Sequence, residues 1–557
     1  MAEQTLAQVG HERSALALGA TSAVVFGVTA LVGVSLAYDR PAAWREGSGL
    51  IVGLVGAVVL ALVARRRLPV RLGVAGVGCA VGAAVVAGVG VWQGRLDEGV
   101  SAALLAILVP LAACGVKAFT GWRSRVLTVV ASAGMVSGTL ALAVTGEASA
   151  ISGVLVGAVV GGWLWWRSGR AGSGWVTRIA DGCFVGIMVL GVALYVAVML
   201  LGVAVPLVDP LLSDNVLGHR LLWQDGMVAV RDYWLTGSGL AGSGMLMSSY
   251  LSLRHVPYHP HLHHLFLQVA LEQGIPGLVG LVGLIVSGSW LTLLALRTRD
   301  NDVRFLACVS GAALAALCVT GLMESDLAGD FLQAGLFLPF GFASALSGVR
   351  LRDGARSPGR PRRLTAAVAL APLTAILMPL VWPGAQARLH ATRGAVLQTQ
   401  AELRVYRWPD WSIQDRLRRE RIVDLEPAIA QYESALALDA ANVTALRRLG
   451  QIELSRGDYQ SAFRRLELAA RLAPRDRVAT RLLAEASAVN GNAAAAATLW
   501  MAAGTGADEL GARLWWYTYV GDATIVARFQ DAMRTLEQLR AERARQLAAP
   551  HDDRSTP

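Results

Sequence analysis

The sequence predicts an all-α fold: a polytopic membrane protein with about eleven transmembrane helices, the amino terminus inside, the carboxyl terminus outside, and an extracytoplasmic helical-repeat domain. Three observations predict it. Apolar runs of crossing length recur along the first 383 residues, basic residues concentrate in alternate turns between them, and a 34-residue recurrence marks the polar tail. With 54% hydrophobic residues over 557 positions, the chain is too apolar for a soluble protein of its size.

The apolar runs are 15–37, 49–64, 70–91, 98–116, 126–145, 149–166, 180–207, 275–296, 304–322, 329–347 and 364–383. One helical crossing needs ~20 such residues. The runs 49–64 and 149–166 are the shortest. The first run exceeds the ~7–15 apolar residues of a signal-peptide core, so it reads as an anchor, and no cleavable signal is expected.

Arginine placement sets the expected topology. Arg65, Arg66, Arg67 and Arg71 crowd one turn; Lys117, Arg123 and Arg125 the next of that set; then Arg167, Arg170 and Arg178; then Arg297, Arg299 and Arg304. Residues 350–363 carry six arginines. The alternate turns are poor in basic residues: 92–97 holds only Arg95, 146–148 holds none, and 323–330 is acidic, with Glu324, Asp326 and Asp330. Positive residues stay on the cytoplasmic side, so the basic turns face inward. Residues 208–274 and everything after 384 then lie outside. The net charge of +10 is therefore a topology signal and suits anionic lipid headgroups; nucleic acid is not an expected partner. All five cysteines (Cys79, Cys114, Cys183, Cys308, Cys318) fall in predicted spans, so no exported disulfide framework is expected.

Four segments follow: N-terminal transmembrane helices over 1–207, an external loop over 208–274, C-terminal transmembrane helices over 275–384, and a soluble helical tail over 385–557. In the tail, Leu449, Gly457, Asp458 and Ala462 recur 34 residues later as Leu483, Gly491, Asn492 and Ala496. Ala428 and Ala435 stand at the same offset before Ala462 and Ala469. The run from Leu449 to Pro474 resembles a tetratricopeptide repeat, in which small residues let paired helices approach closely. Stacked repeats build a superhelix with a concave binding face, which implies a protein partner. Residues 523–547 read as one amphipathic helix rich in Arg and Glu.

The external loop carries the chemistry. Residues 258–280 place four histidines (His259, His261, His263, His264) before an aliphatic helix that stops at Gly274 and restarts through Ile275, Pro276 and Gly277. Titratable groups at a membrane boundary point to function rather than packing. Upstream lie Arg220 and Trp223, then the turn Leu235-Thr236-Gly237-Ser238-Gly239. That turn matches GxGxxG, but it lacks the βαβ context of a dinucleotide site and reads as a flexible turn. The imidazoles of His255, His259, His261 and His264 have the chemistry for zinc or copper. No cysteine or spaced carboxylate joins them, and no metal is expected.

Together these elements resemble the O-antigen ligase and O-antigen polymerase superfamily of bacterial membrane glycosyltransferases, over roughly 120–345. The family pattern sets an arginine shortly before a tryptophan, here Arg220 and Trp223. A Leu-Thr-Gly-x-Gly turn follows, here Leu235, Thr236, Gly237 and Gly239. A His-Asn pair then opens a helix ending Glu-x-Gly-Ile-Pro-Gly, here His263 with Glu272, Gly274, Pro276 and Gly277. Two positions depart from it. His264 stands where the family usually has asparagine, and Ala148 stands where relatives often carry an arginine that helps hold the lipid diphosphate.

The resemblance implies a bacterial plasma-membrane enzyme without a cofactor. It moves a glycan from a polyprenyl diphosphate carrier to an acceptor hydroxyl on a glycan, lipid or protein at the outer face. Arg220 would offset charge on the departing diphosphate, since its planar fork matches phosphate oxygens. His263 would take the acceptor proton, as imidazole titrates near ~6.5. Arg231, Arg254, His264, Trp223, Gly237 and Gly239 are the candidate substrate-binding residues around them. Helical geometry sets Arg231 ~16 Å along one stripe from Arg220, too far for one diphosphate. Glu272 falls half a turn out of phase with His263, which suits packing better than orienting that histidine. Repeat-unit polymerisation is the second enzymatic reading. A non-catalytic scaffold acting through the tail is the reading from another class, favoured by Ala148 and opposed by the intact spacing from Arg220 to Gly277.

Overall fold

The structure, a computed structural model, describes residues 2–64, 68–93, 99–117, 122–145, 148–169, 175–200, 214–251, 261–323, 335–346, 362–381, 384–405 and 414–548. Among the described residues every regular element is helical. In chain order these are α1 (Ala2–Leu36), α2 (Arg40–Ala64), α3 (Leu68–Gln93), α4 (Gly99–Lys117), α5 (Trp122–Thr145), α6 (Ala148–Ser168), α7 (Trp175–Tyr195), α8 (Asp214–Asp232), α9 (Ser243–Leu251), α10 (Leu265–Ala295), α11 (Asn301–Met323), α12 (Leu338–Leu346) and α13 (Arg362–Leu377). The tail adds α14 (Ala385–Leu403), α15 (Gln414–Arg419), α16 (Glu426–Leu438), α17 (Val443–Arg456), α18 (Tyr459–Leu472), α19 (Arg477–Val489), α20 (Ala493–Ala503), α21 (Ala507–Val520) and α22 (Ala523–Ala548).

The chain folds as two units. The first comprises Met1–Leu211, Leu235–Gly242 and His261–Val381; the second comprises Leu212–Trp234, Ser243–Pro260 and Trp382–Pro557. The segment 208–274 is thus divided between the units. Its helices α8 and α9 belong with the tail, while the turn between them and the histidine segment belong with the apolar helices.

Among the described residues of the first unit, six helices are long and apolar enough to cross a membrane: Gly10–Leu36, Arg40–Val63, Val126–Ala143, Ser149–Ser168, Leu265–Ala295 and Asn301–Met323. Both of the shortest runs in the sequence are among them. The second of the eleven runs starts a full two turns earlier than its apolar pattern, because α2 opens at Arg40-Pro41, where proline suits a first helical turn. The runs at 70–91, 98–116, 180–207, 329–347 and 364–383 coincide with shorter apolar stretches, Val74–Val86, Ala102–Lys117, Leu190–Met199, Gly335–Leu346 and Thr365–Leu377.

Without a hydrophobic drive between helices in lipid, close backbone approach at small residues holds such bundles. The contact of α6 with α11 follows this rule. Gly153, Gly157 and Gly161, four residues apart, form a ridge that meets Ala312, Ala316 and Thr320. A Cβ at Gly157 would sit 2.6 Å from the Ala312 carbonyl oxygen. Elsewhere α1 lies along α10, with Gly280 against the Phe26 backbone.

The second unit is built of helical hairpins, and their period is written in the caps. Asn442, Asp458, Asp476 and Asn492 start α17 to α20, and each side chain accepts the N–H of the residue three further on. The first and third, and the second and fourth, are 34 residues apart. Gly457 and Gly491 turn the chain between hairpin helices with φ of 93° and 88°, a region glycine enters freely. The helix α22 packs one stripe inward, Ile525, Phe529, Ala532 and Leu536, with the Phe529 ring 5.2 Å from that of Trp500. Its amphipathic pattern therefore serves the unit's own core as well as a solvated face.

Replacing Gly157 by valine should cost about 1–3 kcal/mol through overpacking against α11. Thermal denaturation of the detergent-solubilised protein should show a lower midpoint, with Gly162→Val, where a Cβ meets nothing within 4 Å, as the neutral control.

Candidate functional site

The site region in the first unit is organised by a break in α10. Gly274 adopts φ 73° and ψ 179°, so the helix stops there and restarts. Pro276 follows, and proline has no N–H to return to the Glu272 carbonyl four residues before it. The non-helical backbone at Gly274 also opens the Leu271 carbonyl. Both are satisfied by the glycine turn: Ser238 N–H donates to the Leu271 oxygen at 2.8 Å and Gly239 N–H to the Glu272 oxygen at 3.2 Å. Leu240 N–H then reaches the Gly33 carbonyl on α1 at 3.2 Å. The fit leaves no space for side chains. A Cβ at Gly237 would stand 2.2 Å from the Glu272 oxygen, and one at Gly239 2.7 Å from the Ala37 Cα. Both glycines have positive φ, 71° and 102°. The motif that matched GxGxxG is thus a backbone clasp on a broken helix, and Gly237 and Gly239 are buried in it.

The histidines lead into this helix. His263 takes φ 49°, a left-handed conformation uncommon for a residue with a side chain and found where surroundings enforce it. It is half-buried. His264 swings back to an extended backbone and caps α10, its Nδ1 accepting the Leu267 N–H at 3.2 Å. Asparagine, which the resemblance implies at this position, caps helices by the same kind of bond, so His264 supplies an equivalent cap. The His264 ring is 2% exposed and sits 6.1 Å from the Tyr195 ring. Burial pushes its pKa down from 6.5 to about 4, which keeps the imidazole neutral and Nδ1 free to accept. Behind it, Gln268 ties the entry to the helix body. Its Oε1 accepts the Leu262 N–H at 3.2 Å and its Nε2 donates to Glu272 at 2.6 Å. Glu272 is buried and engaged in this brace.

The other candidates lie in the second unit, on α8. This helix is unbroken from Asp214 to Asp232, so Arg220 and Arg231 stay ~16 Å apart along it. Arg220 is half-buried. Trp223 is buried and stacked 5.8 Å from His219, which commits its indole to packing. Arg231 pairs with Asp476, the cap of α19. Arg254, His255 and His259 lie outside the described residues. Ala148 opens α6.

The sequence alone did not reveal a buried polar network among the described residues of the second unit. On α8, Asp232 is fully buried. Its Oδ1 accepts Thr444 at 2.8 Å, and its Oδ2 accepts Tyr250 at 2.6 Å, Arg448 Nε at 3.1 Å, and Arg447. Burial alone would raise its pKa, but the Arg447 and Arg448 guanidiniums outweigh that and hold the carboxyl well below the usual range. Two turns earlier Asp225, also buried, accepts Arg481 at 2.9 Å with Arg477 at 3.6 Å. Tyr250 on α9 completes the set: its hydroxyl meets Arg448 and its carbonyl meets Arg481. Tyr233 accepts from Arg448 at 2.8 Å and bonds Thr399 at 2.5 Å. A signal was available: Arg447 and Arg481 are 34 residues apart, and Asp225 and Asp232 are seven apart on one helix face.

Residues 133–282 match the family model described as O-Antigen ligase. No curated protein matches the chain significantly. The matched segment spans the α6 helix, both loop helices, the glycine clasp, the histidine segment and the break at Gly274.

Two substitutions test the clasp and the cap. Gly237→Ala should destabilise the first unit by more than the ~1 kcal/mol of an ordinary helix substitution, since its Cβ collides with backbone that has no rotamer to give. His264→Ala should cost about 0.5–2 kcal/mol, while His264→Asn keeps the cap. The folded-state pKa of His264 is depressed, so its contribution is complete above pH ~6.5 and is lost as pH falls toward 4. Melting midpoints of wild type should therefore fall more between pH 7 and 4.5 than those of His264→Asn.

Proposed function

Because residues 133–282 match the O-antigen ligase family model, we propose that the chain transfers a glycan from a polyprenyl diphosphate carrier to an acceptor hydroxyl at the outer face of a bacterial plasma membrane. The observation that carries this reading is the clasp. The two halves of the family pattern, Leu235–Gly239 and Glu272–Gly277, are bonded to each other backbone to backbone, with His263 held in a left-handed turn at the head of the same helix.

In this reading the acceptor oxygen bonds to the anomeric carbon while the bond from that carbon to the diphosphate oxygen breaks. The diphosphate leaves with the electron pair. His263 takes the hydroxyl proton, and Arg220 offsets the charge on the departing diphosphate. His264 serves as the cap that fixes the turn, a task its neutral imidazole suits. Eleven crossings with the amino terminus inside and the tail outside accord with the arginine distribution. The tail fits a tetratricopeptide-like array: caps and turn glycines recur at 34 residues, and small residues such as Ala445, Ala462, Ala479 and Ala496 occupy the buried helix contacts. Ala148, in place of the family arginine, favours the scaffold reading, and the experiment below separates the two.

A deletion strain complemented with His263→Ala or Arg220→Ala, at matched expression, should lose surface glycan and accumulate lipid-linked precursor. Loss of a general base lowers turnover by ~10²–10⁴-fold. Single-length products mark ligation, and a ladder of repeat units marks polymerisation. Full complementation by both variants would leave the membrane chemistry unsupported and favour the scaffold.

A further inference from the structure

We propose that the arginine-bearing face of the tail's hairpins is occupied by the chain's own loop helices, and that Asp225 and Asp232 with Arg447 and Arg481 are positioning residues for the helix that carries Arg220. The argument is one of register. Arg447 and Arg481 hold equivalent places in successive hairpins, 34 residues apart. The helix α8 offers its two buried carboxylates seven residues apart, two turns and ~10.5 Å along one face. Successive repeats therefore read successive pairs of turns, with Arg447 on Asp232 and Arg481 on Asp225 in inverted order. A single ion pair would leave α8 free to slide or rotate; two pairs at matched spacing fix both.

Desolvation makes the grip selective. Asp225, Asp232, Arg447, Arg448 and Arg481 are each at most 3% exposed. Removing one partner leaves a buried charge without its counterion, which is far costlier than losing a surface pair. Tyr250 extends the hold to α9, through its hydroxyl on Asp232 and its carbonyl on Arg481. An external partner is then not required to explain the arginines of the repeats. The functional half of the proposal rests on the role given to Arg220 above; the structural half does not.

Hydrogen exchange on the full chain in nanodiscs, read alongside binding of added polyprenyl diphosphate, tests both halves. In wild type, amides of 214–251 should be protected to the same degree as those of α17 and α19. Asp232→Asn, which keeps the shape and every arginine, and Arg481→Met should each raise exchange in 214–251 by roughly 10²-fold, with α18, α20 and α22 still protected. Arg447→Lys should restore part of the protection that Arg447→Met removes. Diphosphate binding should weaken in every variant that frees α8. Protection of 214–251 that survives Asp232→Asn and Arg481→Met would overturn the structural half, and lost protection with unchanged binding would overturn the functional half. Arg220→Ala separates the two readings: it should weaken binding with α8 still protected. If it leaves binding unchanged, the role of Arg220 falls while the exchange result still decides whether the tail grips α8.

Discussion

Pro276 has no N–H, and most of what surrounds the histidine segment follows from that. A helix in an apolar surrounding must satisfy its carbonyls from somewhere, because each one left bare costs several kcal/mol. The left-handed Gly274 and the missing donor of Pro276 leave the Leu271 and Glu272 carbonyls open, and the Ser238 and Gly239 N–H groups close them. The turn can approach only because Gly237 and Gly239 have no Cβ, and it is held in turn by Gly33 on α1. The break, the clasp and the first helix form one construction. The strained turn at His263 sits at the open end of the same helix, braced by Gln268 and Glu272.

The second unit solves a different problem. Its inner face is charged where an ordinary hairpin array would be apolar. Arg418 is paired with Glu402 at 2.7 Å and Arg513 with Asp415 at 2.8 Å, both buried, beside the arginines that meet α8. Buried pairs are weak contributors to net stability but severe about alternatives, since a shifted register strands a charge. That is the behaviour wanted from an element that must hold a helix in one place. Small residues set hairpin spacing, caps set hairpin length, and the arginines hold α8.

The two departures from the family pattern differ in physical weight. At His264 the chemistry of the replaced residue is retained, because an Nδ1 lone pair accepts the same N–H that an asparagine oxygen would. The cost is a titratable group, and burial shifts it out of the neutral pH range. At Ala148, where the resemblance implies an arginine, the methyl side chain offers no charge. A cap can be exchanged between residue types that share an acceptor; a charge has no neutral equivalent.

The sequence by itself determined the helical class, the 34-residue period, the family motifs and the apolar segments. These are written in local patterns: hydropathy over a crossing length, turn residues, cap residues. It also placed Glu272 out of reach of His263, from helical phase alone. What it could not supply was pairing across distance. Gly237 and Gly239 read as a flexible turn because the carbonyls that need them lie more than thirty residues on. Trp223 and Arg231 read as ligand contacts because their partners, His219 beside one and Asp476 far from the other, look unremarkable in a linear chain. Asp225 and Asp232 belong to no motif in the linear chain, since only folding brings Arg447 and Arg481 to them. A side chain's type is local, but whether its charge is solvated or buried against a counterion is settled by tertiary structure, through the cost of leaving either one alone.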